Sequence, residues 1–407
     1  SWSTPWLTER HGYDPTYLYQ ELGVSSTKEG VHEAIKNLSK GVFPGAFCKI
    51  LSVPNIFGED CPYVQVMHSD GAGTKSNVAY LMKMEGYADY LKLFSNLAQD
   101  VTVMNIDDMA AVGVCDNIYL SNHIGRNANR ISDVDIAAII NGYTEFINLM
   151  KQYDINITET GGETADVGSY VTTVGLDAVT TGYVLKDKVI DCSNIKPKCV
   201  IVGLSSYGKC IYEDKYNSGI RSNGLTLAIN CMLSPKYRAY KEAWDSSLDE
   251  KKVFRGPYEL DDILVGTELT IGEALLSPTR TYTPIVKDII YNNMSILGII
   301  HCSGGGATKS IKFGKGIRYV KEDIIDIPPL FDAIRQTEDI NLRNMFQTFN
   351  MGTGMEIITR TEEEAKTIIK IAEKYNVYAK IIGYTEKSTF DDVNEVVIKT
   401  RGKTLHY

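Results

Sequence analysis

Apolar positions along the chain switch between a period of two and a period near 3.6, and the switch points mark its elements. Tyr63-Val64-Gln65-Val66-Met67 is an apolar run with β-branched residues at alternate places, which predicts a buried strand. It leads into Ser69-Asp70-Gly71-Ala72-Gly73-Thr74-Lys75, which reads as a tight bend. Upstream, Val31, Ile35 and Leu38 share one helical face, and Gly41 to Phe47 reads as a flexible connection. Ser95 is the predicted N-cap of a helix from Asn96 that turns Leu97, Val101 and Met104 inward. Asn117 to Leu120 reads as a strand, and Ser132 or Asp133 then caps a helix with Ile136, Ile140, Tyr143, Ile147 and Met150 on its core face. Strands are predicted at Ile155 to Thr158 and Val171 to Leu185. Cys199 to Leu204 opens a second half, with helices from Leu225 and after Tyr282, and a strand from Ile296 to Ile300. The end reads strand (Glu356 to Ile358), helix (Glu362 to Tyr375), strand (Ala379 to Tyr384) and strand (Asn394 to Lys399), an α+β layer arrangement.

Residues 1–30 show no clear period and are expected to form an arm. The expected organisation is an N-terminal domain over 31–186, a linker over 187–198 and a C-terminal domain over 199–407, with 234–265 as a surface excursion. A chain of 407 residues is long enough for two cores, and 43% hydrophobic with 23% charged residues is an ordinary globular composition. The net charge of −9 provides no basic footprint, so nucleic acid is not an expected partner. No apolar run approaches the ~20 residues that cross a bilayer, so no membrane partner is expected. The first residues, from Ser1 to Trp6, lack the charged-then-apolar layout of a signal peptide. Eight cysteines without a C-x-x-C pair suit reduced thiols in a cytoplasm.

Chemistry concentrates where acids meet small residues. In the first bend, Gly71 and Gly73 let backbone N–H groups approach a polyanion, Lys75 adds a positive charge, and Asp70 suits the Mg²⁺ that accompanies a nucleotide. Asp107 and Asp108 sit between Ile106 and Met109-Ala110-Ala111, where burial would be costly without a cation or hydrogen-bond donors. Gly161-Gly162-Glu163-Thr164-Ala165-Asp166 repeats the sequence of strand, small residues and acid. Three such bends are expected to converge at one end of a sheet as a Mg–polyphosphate site. Ser222-Asn223-Gly224 before a helix suits a phosphate, or simple N-capping. His301, beside Gly304-Gly305-Gly306, is either a satisfied core histidine or a proton carrier that titrates near neutrality.

Together these motifs resemble the aminoimidazole ribonucleotide synthetase family, the phosphoribosylformylglycinamidine cyclo-ligases, within a superfamily that includes thiamine-monophosphate kinase and selenophosphate synthetase. The resemblance rests on Asp70 to Lys75, Asn105 to Met109, Gly161 to Ala165, Ser222 to Gly224, Leu276 to Arg280, Ser303 to Gly306 and Phe349 to Gly352, in the family's order across residues 31–385. It implies a two-domain ATP-binding α+β fold, with an N-terminal α/β sheet that pairs into a dimeric barrel and a C-terminal α+β domain. It implies a cytoplasmic homodimer that uses ATP and Mg²⁺ to close formylglycinamidine ribonucleotide to aminoimidazole ribonucleotide. By the matched motifs, Asp70, Asp107, Asp108 and Glu163 would carry Mg²⁺. Lys36, Lys75, Gly71, Gly73, Thr74, Asp70 and Asp108 would face ATP. Thr164, Ser222, Asn223 and Gly224 would hold the ribonucleotide, and His301, Lys75 and Arg221 would be catalytic. Three features depart from the family pattern: Arg221 stands where a histidine usually precedes Ser-Asn-Gly, the N-terminal loop is reduced to Gly41 and Gly45, and Tyr207 to Tyr216 reads as an insertion. Arg221 and the reduced N-terminal loop motivate a rival reading, a nucleotide-binding paralogue without turnover; the superfamily supplies another, a small-molecule kinase.

Overall fold

The alternation that begins at Tyr63 builds the first of two sheets. In the computed structural model, which describes residues 20–25, 28–54 and 60–407, this sheet contains β1 (Leu51–Ser52), β2 (Tyr63–Gly71), β3 (Ile118–Arg126), β4 (Ile157–Asp166) and β5 (Val174–Leu185). Their order is β1-β2-β5-β3-β4, antiparallel throughout except for β3 beside β4. Most of the arm expected over 1–30 lies outside the described residues. Helix α1 (Glu29–Ile35) forms near the predicted place, but its apolar residues Val31 and Ile35 are exposed. Helices α2 (Lys75–Met84), α3 (Tyr90–Ala110) and α4 (Asp133–Lys151) follow.

One face of the sheet is apolar by strict alternation: Val64 and Val66, Ile118, Leu120 and Ile124, and the even positions from Val174 to Val184 are buried. Helices α3 and α4 belong to the same buried cluster. Helix α4 starts at a capping box, in which Ser132 accepts from the Asp135 backbone and Asp135 reaches back to the Ser132 N–H. Helix α3 begins at Tyr90, one and a half turns before the predicted start, and Ser95 is buried inside it. Leu93 and Leu97 fall on the same stripe as Val101 and Met104, so the apolar period extends backward past Ser95.

Two expectations need correction here. The sheet is open and mostly antiparallel, ending at β1 and β4; it is neither an α/β layer nor part of a barrel. The acidic bends are also less bend-like than their composition suggests, because β2 continues through Gly71 and β4 through Gly162 to Asp166. Small residues serve tight strand pairing as well as tight turns. A Cβ on Gly71 would lie 2.6 Å from the Leu176 carbonyl oxygen, and one on Gly162 would strike the Asn122 backbone.

The second sheet holds β6 (Val200–Ser205), β7 (Gly298–His301), β8 (Ile317–Lys321), β9 (Thr353–Thr359), β10 (Ala379–Lys387), β11 (Glu395–Thr400) and β12 (Lys403–His406), ordered β12-β11-β8-β10-β6-β9-β7. Around it lie α5 (Leu225–Met232), α6 (Ile271–Leu275), α7 (Thr283–Tyr291), α8 (Pro329–Thr337), α9 (Leu342–Thr348) and α10 (Glu362–Lys374). Every residue of β7 and β9 is buried, so these strands are covered on both faces and hold whatever they carry rigidly. Among the described residues no helix is long and apolar enough to cross a membrane.

The two sheets are tied at Asp116, just before β3. Its carboxylate accepts from Lys287 Nζ of α7 at 2.7 Å and from the backbone N–H groups of Asn117 and Asn156 at 2.8 Å each. Burial works to raise this carboxyl, but the Lys287 ammonium and the two N–H groups hold it below the usual carboxylate range. The native group therefore stays ionised to lower pH than the unfolded one. Its stabilisation is complete above the unfolded value, about 3.9, and is lost as pH falls through the folded value. Asp116→Asn is expected to flatten the acid limb of a plot of urea midpoint against pH below about pH 4. An unchanged acid limb would refute this role.

Candidate active site

Four segments from both sheets meet around one carboxylate. The period of β2 places His68 and Asp70 on the helix-covered face, and the last turns of α3 bring Asn105 and Asp108 against them. His301 ends the buried strand β7, and Arg221 precedes α5. Asp108 Oδ2 accepts from His68 Nε2 at 2.8 Å, and Oδ1 accepts from His301 Nδ1 at 2.6 Å. On the far side of His301, Nε2 meets Arg221 Nη2 at 2.6 Å. Arg221 is buried, adopts a left-handed backbone (φ 58°), donates to the Arg280 carbonyl at 2.7 Å, and lies 5.1 Å over the Tyr282 ring. A non-glycine residue held there stores backbone strain that the surrounding contacts must offset.

The hydrogen bonds fix the protonation states. A guanidinium only donates, so His301 Nε2 must accept from Arg221, and the ring's one proton sits on Nδ1 facing Asp108. His301 is therefore neutral and locked in one tautomer. His68 differs. The Asn105 amide nitrogen donates to the carbonyls of Val101 at 2.9 Å and Asp70 at 3.3 Å, so its oxygen is the atom 2.9 Å from His68 Nδ1. Both His68 nitrogens thus face acceptors and both carry protons. Burial works to lower this imidazolium, but the hydrogen bond and charge of Asp108 push it up to about 8. Asp108 itself is held well below the usual range by the two histidines, against its burial.

Asp70 stands beside this group with one oxygen on its own Gly71 N–H at 2.8 Å. Enclosure by neighbouring groups and the Asp108 charge raise its carboxyl, so a cation placed there would relieve it. The other residues singled out in the sequence go elsewhere. Asp107 is saturated by Thr281 Oγ1 at 2.6 Å, Thr283 Oγ1 at 2.9 Å and the Tyr282 N–H at 3.1 Å, and it anchors the start of α7. Lys75 is fully buried between Asp100 and the Ser277 carbonyl. Lys36 is exposed and paired with Glu33. Glu163 shares a row with His123, Asp177 and Gly71 across four strands. That row points away from Asp70, because side chains alternate and Asp70 aligns with the next row, Ala178, Asn122 and Gly162. Asp70 lies near enough to Asp108 for the two charges to interact, whereas Glu163 is about three strand spacings, ~14 Å, from Asp70 and on the opposite face. Thr164 lies opposite Ile124 on β4.

The phosphate-binding expectation finds a different form. Thr74 Oγ1 and Thr226 Oγ1 touch at 2.9 Å, so the starts of α2 and α5 face each other across the two halves. Neither start has a side-chain cap; at α2 the Asn77 N–H already donates to the Thr74 carbonyl at 3.0 Å, and the N–H groups before it remain for an anion. Thr74, Asn77, Thr226, Asn230 and Trp244 line a cavity of about 410 Å³ at this junction. Ser222 Oγ meets Thr279 Oγ1 at 3.1 Å, and Gly224 (φ 77°) packs against Phe349 where a Cβ would clash. Two polar atoms here, Arg221 Nε and Asn223 Oδ1, are buried without a partner. An unmet donor and an unmet acceptor in the same motif fit a polar organic ligand.

Sequence reasoning missed His68 and Lys309. The signal for His68 was available, since Val64, Val66, His68 and Asp70 are successive positions of one strand face. Lys309 follows the triple glycine by one turn and lies 5.6 Å over the Phe47 ring; its burial lowers it while the Asp108 charge works to raise it.

Comparisons with known proteins point one way. The model for the AIR synthase related protein N-terminal domain matches residues 58–184, and that for its C-terminal domain matches 258–393. The phosphoribosylformylglycinamidine cyclo-ligase of Methanocaldococcus jannaschii is 30% identical over 339 residues, covering 83% of this chain and 82% of the relative. That of Methanococcus maripaludis strain C6 is 29% identical over 350 residues, covering 84% and 82%. Among solved structures, Thermotoga maritima PurL complexed with FGAR aligns with a TM-score of 0.54 at 15% identity, covering 96% of this chain but only 54% of its own. The AaThiL structure with AMPPCP and TMP aligns at 0.51 and 11% identity, covering 93% and 96%. The structural likenesses show the shared fold; the cyclo-ligase matches, running nearly end to end, show that the chain belongs to the AIR synthase, or phosphoribosylformylglycinamidine cyclo-ligase, family.

Proposed function

We infer that this protein closes the imidazole ring of formylglycinamidine ribonucleotide, using ATP, to give aminoimidazole ribonucleotide. The γ-phosphoryl group passes to the formyl oxygen and ADP is released. An internal nitrogen then attacks the formyl carbon, the carbon–oxygen bond breaks with phosphate as the leaving group, and the nitrogen loses a proton. Phosphorylation turns a poor leaving group into a good one, so the protein's task is positioning and charge neutralisation.

The observation that carries the reading is a neutral His301 whose Nε2 lone pair is occupied only by Arg221. When the guanidinium turns to an oxyanion or phosphate, that lone pair is free to take the proton the ring nitrogen loses. Asp108 then stabilises the imidazolium from the other side, and His68 stays charged as a fixed counterweight. Arg221 cannot serve as the base, because arginine stays protonated. The paired starts of α2 and α5 hold phosphate, and Ser222, Asn223 and Gly224 hold the ribonucleotide.

Mg²⁺ fits Asp70, whose carboxyl is raised by burial and by the Asp108 charge, with Asp108 beside it; when bound it would neutralise the polyphosphate. Among the described residues no group of three or more His, Cys, Asp and Glu side chains has the geometry of a metal centre. That suits an ion held by one or two carboxylates plus phosphates. Asp107, saturated, and Glu163, on the other face, are left out of the proposed ligand set.

Purified protein supplied with ATP, Mg²⁺ and formylglycinamidine ribonucleotide is expected to release ADP, phosphate and aminoimidazole ribonucleotide in equal amounts. ADP with a phosphorylated, uncyclised product would make it a kinase, and binding without turnover would overturn the reading.

A further inference from the structure

A second cavity lies away from the Asp108 cluster. Helices α3 and α4, the segment 211–217 and the loop after α6 enclose about 840 Å³, a volume in the range of small-molecule sites. Its lining combines rings with solvent-facing amides. Tyr87, Tyr153 and Tyr216 border the space half-buried. Tyr153 is braced edge-on against Tyr212 at 5.4 Å between centroids. The side chains of Asn96, Asn148 and Gln152 also line it, with no hydrogen-bond partner among the described residues. Each amide offers a donor pair and an acceptor, the complement of a heterocycle's edge, while the tyrosines offer faces for its plane.

Charge narrows the ligand further. The lining has five carboxylates (Asp89, Glu145, Glu213, Asp214 and Glu273) against two ammonium groups, Lys92 and Lys215. Both cations are already matched, Lys92 to Glu145 at 3.1 Å and Lys215 to Glu273 at 3.5 Å. A phosphate would enter a field of its own sign.

We propose that this cavity is a second ligand site, for an uncharged planar heterocycle of the nucleobase or nucleoside class, separate from the site that takes ATP. It is joined to the Asp108 cluster by direct contacts. Glu213 in its wall accepts from Arg280 Nη2 at 2.6 Å, the Arg280 carbonyl accepts from Arg221, and Arg221 donates to His301. Tyr212 donates to the Thr281 carbonyl, and the Thr281 hydroxyl in turn donates to Asp107.

Adenosine and AMP are the probes, titrated calorimetrically into the full chain with AMPPCP present at saturation to fill the nucleotide site. Adenosine is expected to bind saturably, AMP at least tenfold more weakly, and Gln152→Ala and Tyr153→Ala each to weaken adenosine at least fivefold. Gln152 is exposed, so its variant keeps the test valid if Tyr153→Ala, which loses the Tyr212 contact, fails to fold. No saturable adenosine binding at millimolar concentration, loss of binding when AMPPCP is added, equal affinity for AMP, or unchanged affinity in Gln152→Ala would each overturn the proposal. The readout is binding without turnover, so it stands or falls independently of the cyclo-ligase reading.

Discussion

Asp108→Asn should lower kcat by about a thousandfold or more while the protein stays folded. The carboxylate accepts from two histidines at once, and an amide can accept from only one of them. If the amide oxygen keeps His301, its NH₂ group is turned onto the His68 N–H, donor against donor. If it keeps His68, His301 must move its proton to Nε2, which then faces the Arg221 guanidinium. Either outcome spoils the arrangement that leaves His301 neutral with a directed lone pair. The same substitution in the serine-protease triad, where it also selects the wrong histidine tautomer, costs about 10⁴ in kcat. Steady-state kinetics with a thermal melt on the same preparation would check this. A variant within tenfold of wild type would remove Asp108 from the mechanism. Recovery of full activity at high Mg²⁺ would mean that the carboxylate's sole task is to hold the cation.

What was legible in the sequence, and what was not, divides along physical lines. A cap at Ser132 or Asp133 and the stripe Leu97–Val101–Met104 were readable, because periodicity and caps are local properties. The motif order was readable too, and it led to the family. The destination of each acid was not. Glu163 and Asp70 have similar neighbours in the chain, yet their places within β4 and β2 send them to opposite faces, and the side-chain period of two makes that depend on register. Asp107 and Asp108 are adjacent, but one faces the start of α7 and the other the two histidines, a distinction set by helix rotation against a distant segment. His68 was overlooked because a lone histidine carries little weight; only its phase with Asp70 reveals it. The glycines misled in a consistent way, since small residues mark close backbone approach without saying whether a phosphate or a neighbouring strand is approaching.

Lys75 provides the sharpest contrast between sequence and structure, and so the second large effect. The resemblance implies an ammonium facing ATP. In the structure, Nζ donates to Asp100 Oδ1 at 2.7 Å and to the Ser277 carbonyl at 2.6 Å, both buried. Burial pushes this ammonium down from its usual value and Asp100 works to hold it up. Asp100 also accepts from Thr279 N–H at 2.8 Å and Oγ1 at 2.6 Å, so the pair clasps α2, α3 and the 277–279 loop together. Asp100 Oδ2 is already buried without a partner, so removing the cation would leave a carboxylate with too few donors. Lys75→Met is therefore expected to cost about 3–5 kcal/mol of stability, the usual consequence of stranding one member of a buried pair. The double variant Lys75→Met/Asp100→Asn should regain at least half of that, because the amide oxygen keeps the Thr279 donors and no charge is buried. Urea unfolding of wild type, single and double variants gives the answer directly. If instead the single variant unfolds like wild type and only its KM for ATP rises, then Lys75 reaches the nucleotide as its motif implies, and the buried clasp is not what holds these segments together.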